Sequence, residues 1–288
     1  MSAASARSTP RKSTQSASEG IVLSDKEFSS MSKLIRDRFG IDLKDEKRDL
    51  IPRRLNKRLK QLGLSSYAAY IQYLERHWDG EYQTLANAIT TNLTSFFRER
   101  HHFDFISEQF IPDILERKSL QRRIRIWSAA CSTGEEPYSI AMTLHQHANS
   151  IGHFDIKILA TDIDTNVLTT AASGEYTGNQ LSGIDPEILE SSFDAIGNKR
   201  YQVRSHLSDY VHFRRLNFFD NWPMRGNFDL IVCRNALIYF NEQTQRQLLE
   251  KFARHQQPGD YLIVGHSESL ERLTTQYELI GKTTYKRI

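Results

Sequence analysis

Three observations predict an α/β fold built on a doubly wound, mostly parallel sheet with a small all-helical domain ahead of it. From Ile124 onward short apolar strands alternate with helical segments, the pattern of a parallel sheet with crossover helices. Residues 24 to about 90 show helical periodicity only. At the junction, Ile124 to Tyr138 reads as a strand, a loop of small residues and a helix start with Pro137 in its first turn. The expected organisation is a disordered tail over 1–20, a helical domain over 21–90, a linker segment and helix over 91–123, and a sheet domain over 124–288. A β-rich subdomain is expected to interrupt that last domain at about 175–210.

The composition is that of a water-soluble chain, 39% hydrophobic and 25% charged, and no apolar run is long enough to span a membrane. A net charge of +3 is too small to argue for nucleic acid by itself. Cys131 and Cys233 are too few for a disulfide framework; they suit a reducing compartment and read as small packing residues. The tail is rich in Ser, Ala and Thr with no apolar stripe, so it lacks the material of a core and the pattern of a targeting segment.

Ser24 and Glu27 have capping-box spacing, and Phe28, Met31, Leu34 and Ile35 then recur at helical intervals up to Gly40. A second helix is expected from about Arg48 to Leu62, with Ile51, Leu55 and Leu59 inward and Pro52 in its first turn. A third follows from Ser65 and a fourth from Glu81. The polar face of the second carries Arg53, Arg54, Lys57, Arg58 and Lys60 with no acid among them. Such a face is often merely solvated, yet five uncompensated cations also suit an acidic partner. Beyond Ile124 the expected strands are Ile156–Ala160, Val211–Leu216, Phe228–Cys233 and Tyr261–Gly265, with a helix from Glu242 to His255. A terminal hairpin, Tyr277–Ile280 with Thr283–Ile288, closes the sheet.

In an open parallel sheet the loop after Trp127 lies at the carboxyl edge of a central strand, where ligands bind beside helix N-termini. It matches neither the dinucleotide nor the P-loop fingerprint. Glu135 and Glu136 stand where a phosphate would bind. An acidic helix start repels pyrophosphate and suits an ammonium or sulfonium group, which points to S-adenosylmethionine; such acids are also ordinary partners of the helix dipole. Asp162 follows the second strand, where a carboxylate can accept both hydroxyls of a ribose, while Asp164 is better placed to cap the next helix.

Three runs carry a resemblance: Thr90-Thr-Asn-Leu-Thr-Ser-Phe-Phe-Arg98, Ala129-Ala-Cys-Ser-Thr-Gly-Glu-Glu-Pro-Tyr-Ser-Ile-Ala141 and Cys233-Arg-Asn-Ala-Leu-Ile-Tyr-Phe240. In that order they resemble the bacterial chemotaxis receptor glutamate methyltransferases, the CheR family, over residues 24 to 288. The resemblance implies the class I methyltransferase fold with an antiparallel last strand, S-adenosyl-L-methionine as cofactor, S-adenosyl-L-homocysteine as product, and cytoplasmic helices of transmembrane chemoreceptors as partners. It places Asn92, Thr94 and Arg98 over the cofactor, Glu135 near its amino acid end, and Asp162 at its ribose. Asn217 and Phe218 fall at the adenine, Arg234 and Asn235 beside the methionine and adenosine portions, and Arg98 and Tyr239 become the catalytic pair. Arg53, Arg54, Lys57 and Arg58 would face Glu-rich receptor helices. The implied protein is a cytoplasmic monomer that neither inserts into the membrane nor binds nucleic acid. Some members also grip a receptor C-terminal pentapeptide with the β-subdomain and a glycine-rich loop. Phe193 to Tyr201 has only Gly197, so no such grip is expected.

Methylating a glutamate needs little machinery, because a carboxyl of reference pKa about 4.3 is already the anionic nucleophile at neutral pH. Alignment and desolvation then supply the rate, and holding oxygen, methyl and sulfur in line contributes several kcal/mol, roughly 7 or more in favourable models. Arg98 would orient the carboxylate, and Tyr239 would donate to it or pack near the methyl. His101 and His102 are adjacent and His145 and His147 two apart; neither pair has helical zinc-site spacing, so no metal is expected. Two rivals use the same fold. A nucleic-acid amino-methyltransferase would place prolines after the fourth strand, and Arg234 to Tyr239 has none. Against an adaptor that binds the cofactor without turning it over stand the intact Arg98, Asp162 and Tyr239, which show no decay of the site.

Overall fold

The computed structural model describes residues 20–288, so all of the expected tail except Gly20 lies outside the described residues. Helix α1 (Asp25–Phe39) opens on Ser24, whose hydroxyl accepts from the Glu27 N–H at 3.4 Å while the Glu27 carboxylate accepts from the Ser24 N–H at 3.0 Å. It ends at Gly40, with φ 68°, where a Cβ would lie 1.7 Å from the Phe219 ring; only glycine allows this close seat. Helix α2 (Leu50–Gln61) has Pro52 in its first turn, where a missing N–H is harmless. Helix α3 (Tyr67–Arg76) is capped by Ser66. Helix α4 (Trp78–Ile89) starts ahead of Glu81, because Trp78 packs its ring against Phe39 and Tyr82 and Glu81 is a buried residue, not a surface acid of the first turn. Met31, Ile35, Leu55, Leu59, Tyr70 and Leu85 form the core of these four helices.

That packing corrects the reading of α2 as a row of uncompensated cations. Arg58 donates through Nε to the buried Glu81 carboxylate at 2.8 Å, and Tyr70 Oη donates to the same group at 3.0 Å. Arg54 donates to the carbonyls of Ala88 and Thr90 and to Thr91 Oγ1 at 3.0 Å, so it caps the end of α4. Arg53, Lys57 and Lys60 remain exposed. Charge that reads as a stripe in sequence is divided by depth, since α4 covers one side of the helix.

After the segment 90–100, α5 (His101–Phe105) continues through a π-helical turn, Ile106–Phe110, into α6 (Ile111–Arg117). The chain then runs through β1 (Arg123–Ala129), α7 (Glu135–His145), α8 (Ala148–Ile151), β2 (Asp155–Asp162) and α9 (Thr165–Ser173). Next come β3 (Glu175–Thr177), α10 (Gly178–Leu181), α11 (Pro186–Ser192), β4 (Phe193–Gly197), β5 (Arg200–Val203) and α12 (Ser205–Ser208). It finishes with β6 (Val211–Arg215), β7 (Leu230–Cys233), α13 (Glu242–Ala253), β8 (Tyr261–Val264), β9 (Tyr277–Gly281) and β10 (Thr284–Arg287).

The main sheet has seven strands in the order β6-β2-β1-β7-β8-β10-β9, with β10 antiparallel to both neighbours and the first five strands parallel. Both faces are covered, which is why β7 and β8 are apolar at every position. Ile124, Ile126, Ile158 and Val232 face α5 to α7 on one side; Trp127, Ile231, Cys233 and Leu262 meet Leu249 and Phe252 of α13 on the other. The strand order reverses at β1, so the loops after β1, β2 and β7 open into one crevice. A separate three-stranded sheet, β3-β5-β4, occupies residues 175–203.

Candidate functional site

The crevice is a cavity walled by the loops after β1, β2, β6 and β7, by the segment following α4, and by Phe39, Ile41 and Ile89 of the helical bundle. The β1 loop turns sharply: Ala130 and Ser132 have φ of 66° and 51°, and Gly134 has 94°. A Cβ on Gly134 would meet Ala171 Cβ and Tyr176 Oη at 2.8 Å each, so the helix start can sit this close to α9 only with glycine there. The turn aims the Ser132 N–H at Asp162 Oδ2, 2.9 Å away, while the Asp164 N–H donates to Asp162 Oδ1 at 3.0 Å. Each carboxylate oxygen therefore keeps one acceptor position at the cavity wall. Burial pushes the Asp162 carboxyl up to about 6, against the pull of those backbone donors. Asp164 caps α9 by accepting from the Asn166 N–H at 2.8 Å.

Successive residues of a helix start point about 100° apart, and that separates the two glutamates. Glu136 lines the cavity, accepting from Ser128 Oγ at 2.7 Å and from Arg234 Nη1 at 3.2 Å. Glu135, the expected cofactor residue, does not line it. Its carboxylate turns to Thr133 Oγ1 at 2.6 Å and Gln180 Nε2 at 3.5 Å, toward the small sheet.

The segment 90–98 is stapled across this floor. Asn92 Nδ2 and Thr90 Oγ1 both donate to Asp164 Oδ2 at 2.8 Å, Ser132 Oγ donates to the Asn92 carbonyl at 2.9 Å, and the Phe97 N–H donates to Ser139 Oγ at 3.0 Å. Phe96 packs edge-on against Tyr176 and Phe193. Asn92, Thr94 and Arg98 line the cavity, with Arg98 Nη1 donating back to the Leu93 carbonyl at 2.8 Å.

On the far wall Arg234 is buried, paired with Glu136 and with Glu99 at 3.3 Å, and donates to the Arg98 carbonyl. Asn235, at φ 57°, is held by Glu268, which also accepts from the N–H groups of Gly265 and Ile238. Tyr239 borders the cavity, with Lys47 Nζ 5.0 Å from its ring centre. Phe218 and Leu216 add apolar wall. Asn217 also lies there, but its side chain is committed: Nδ2 donates to the Arg38 carbonyl and Tyr82 Oη, and Oδ1 accepts from the Phe219 N–H. Its carbonyl accepts from the Asp220 N–H at 3.1 Å, so its backbone N–H is the group left to meet a ligand.

Of the expected site residues the structure thus gathers Asn92, Thr94, Arg98, Asp162, Asn217, Phe218, Arg234, Asn235 and Tyr239 around one cavity and leaves Glu135 outside. Glu136, which the sequence reading pairs with Glu135 at the acidic helix start without giving it a site role, is the one that reaches the cavity. Glu99 and Glu268 carry no sequence signal, because they act through partners distant in sequence. The chemistry fits an adenosyl sulfonium ligand: a carboxylate with two free acceptor positions, apolar faces at Leu216 and Phe218, and acids nearby.

Comparison with known proteins agrees. Residues 26–90 match the CheR methyltransferase, all-alpha domain, and residues 92–286 the CheR methyltransferase, SAM binding domain. The chemotaxis protein methyltransferase of Escherichia coli K12 is 42% identical over 274 residues, 93% of this chain and 92% of that protein. That of Borreliella burgdorferi is 38% identical, covering 93% of this chain and 96% of its own. Chemotaxis protein methyltransferase 2 of Pseudomonas aeruginosa is 42% identical over 85% of this chain and 87% of its own.

Proposed function

The chain belongs to the CheR methyltransferase family, and on that premise we propose that it converts glutamate side chains of chemoreceptors to their methyl esters at the cavity between the helical bundle and the sheet. It is a methyltransferase, and its cofactor is S-adenosylmethionine. The observation that carries the site assignment is the Asp162 carboxylate, whose two oxygens each hold one backbone N–H and keep one acceptor position for a ribose hydroxyl.

Asp162 holds the ribose, the Phe218 ring and the Asn217 backbone take the adenine, and Glu136 with Asn92 and Thr94 borders the amino acid end. When bound, the cofactor supplies an electrophilic methyl on a sulfonium. The chain's residues align the acceptor and exclude water: Arg98 orients the incoming carboxylate by a charge-assisted bond, and the Tyr239 hydroxyl steadies its second oxygen. No general base is required, because the acceptor is already ionised. The Glu136–Arg234–Glu99 chain fixes Arg98 through its carbonyl.

Exposed Arg53 and Lys57 on α2 steer the acidic receptor helix; Arg54 and Arg58, occupied within the bundle, do not. We assign the enzyme to the cytoplasm as a monomer; among the described residues no helix is long and apolar enough to cross a membrane. A receptor C-terminal pentapeptide is not bound. Supporting this, the β4–β5 connection is the tight two-residue turn Asn198-Lys199, both at positive φ, and β4 is bulged beside it.

Incubation with methyl-labelled cofactor, a receptor cytoplasmic fragment and RNA tests the function. Label on the receptor fragment released as methanol by mild base is the expected result; base-stable label, or label on RNA, would overturn it.

A further inference from the structure

Where the segment 90–100 enters α5, three metal-ligating side chains that do not line the cofactor cavity come together: ligand atoms of Glu99, His101 and His102 lie within 4.8 Å of one another. His102 is 1% exposed, and its Nε2 faces the Lys282 carbonyl at 3.2 Å and Thr283 Oγ1 at 3.0 Å. A carbonyl only accepts, so Nε2 carries the proton and Nδ1 the lone pair. That Nδ1 has no hydrogen-bond partner and stands 3.4 Å from Glu99 Oε2. His101 Nε2 is likewise buried and unpartnered, with the two imidazole ring centres 4.1 Å apart.

Glu99 Oε2 accepts from the His266 N–H at 3.2 Å and faces Arg234 Nη2 at 3.3 Å, but His102 Nδ1 has no donor of its own, and a cation between that lone pair and the carboxylate would relieve their mutual repulsion. Two ligand atoms bound about 2.0–2.1 Å from a tetrahedral zinc ion are about 3.4 Å apart, the spacing of His102 Nδ1 and Glu99 Oε2. The Lys282 carbonyl on the far nitrogen of His102 is the contact that orients a metal-bound imidazole. The way in is marked by His266, whose exposed ring bonds Glu99 from the solvent side at 2.8 Å. Arg234, 3.3 Å from Glu99, is the cation an arriving ion must share that carboxylate with.

We propose that Glu99, His101 and His102 form a site for a divalent transition metal ion of the zinc class beside the cofactor cavity, with water completing its coordination. The adjacency of the two histidines hides it in sequence, since the site is closed by Glu99 folding back at φ 58° and not by helical spacing.

The test is titration of chelator-stripped full-length protein with Co²⁺, followed by its visible ligand-field bands and by displacement with Zn²⁺. One equivalent is expected, with intense bands of a four-coordinate ion, about tenfold or more weaker in His101→Ala and in the isosteric Glu99→Gln. His145→Ala, at the separate His145–His206 stack, should bind as wild type. X-ray absorption fine structure of the wild-type zinc complex, which needs no variant, should show two imidazole nitrogens. Absence of stoichiometric binding, binding undiminished in folded Glu99→Gln, or a zinc shell without imidazole would each overturn the site.

Discussion

At the scale of single residues the outcome hinges on Asp162. Asp162→Ala removes both ribose acceptors, so cofactor affinity should fall by about 2–4 kcal/mol, and calorimetry giving unchanged affinity in a folded variant would remove the assignment. The same group sets a pH dependence. Its carboxyl lies at about 6, binding needs the ionised acceptor, and a protonated one must first lose its proton. Affinity should therefore be level above pH 6 and decline by about tenfold per unit below it, a slope that Asp162→Asn abolishes. Tyr239→Phe keeps the ring beside Lys47 but loses the hydroxyl, so kcat should drop while S-adenosylhomocysteine binds as before. Arg98→Ala should lower turnover more than it weakens product binding, although it also frees the Leu93 carbonyl. Equal losses would make Arg98 a cofactor residue only.

At the scale of elements, α2 separates two roles that its sequence merges. Reversing Arg53 and Lys57 to Glu should raise the KM for receptor, flatten its dependence on salt and leave cofactor affinity intact. Arg58→Met instead strands the buried Glu81 carboxylate and should cost about 3 kcal/mol of stability, with a lower Tm and no selective effect on KM. Salt-independent wild-type kinetics would return Arg53 and Lys57 to ordinary surface charges. The β4–β5 hairpin carries the next expectation: titrating a receptor C-terminal pentapeptide should yield no saturable binding, and micromolar affinity lost on replacing the peptide's aromatic residues would show the bulged β4 edge to be sufficient for strand addition.

At the scale of the whole molecule the cavity exists because the helical bundle docks on the carboxyl edge of the sheet. Gln83 Nε2 donates to the Ile163 carbonyl at 2.8 Å, Asn87 Nδ2 to Thr165 Oγ1 at 3.0 Å, and the Asp42 N–H to the Tyr239 carbonyl at 2.8 Å. Asn217 reaches Arg38 and Tyr82 from the other direction. Asn87→Ala should loosen this seam by about 1–2 kcal/mol. It should weaken S-adenosylhomocysteine binding and speed proteolysis just after α4, while KM for receptor at saturating cofactor holds. Unchanged cofactor affinity would mean that the bundle roofs the cavity without bracing it.

Much of this was legible in the residues alone. The strand alternation from Ile124, the Ser24–Glu27 capping box, the strand–loop–helix unit at Gly134 and the capping of α9 by Asp164 in place of Asp162 were all determined by neighbours a few positions apart, where periodicity and backbone hydrogen bonding act. Four features were decided only by the tertiary structure. Glu136 and not Glu135 faces the cavity, because the docked helix fixes which way its first turn points. Arg54 is bound to the carbonyls that end α4 and Arg58 is paired with Glu81 of α4, each more than twenty positions away. The Asn217 side chain is taken by the helical bundle, and Glu99 and Glu268 hold the wall from across the fold. The physical reason is common to all four: a charged or polar side chain is satisfied by whatever packing brings within about 3 Å, and no local pattern encodes that partner.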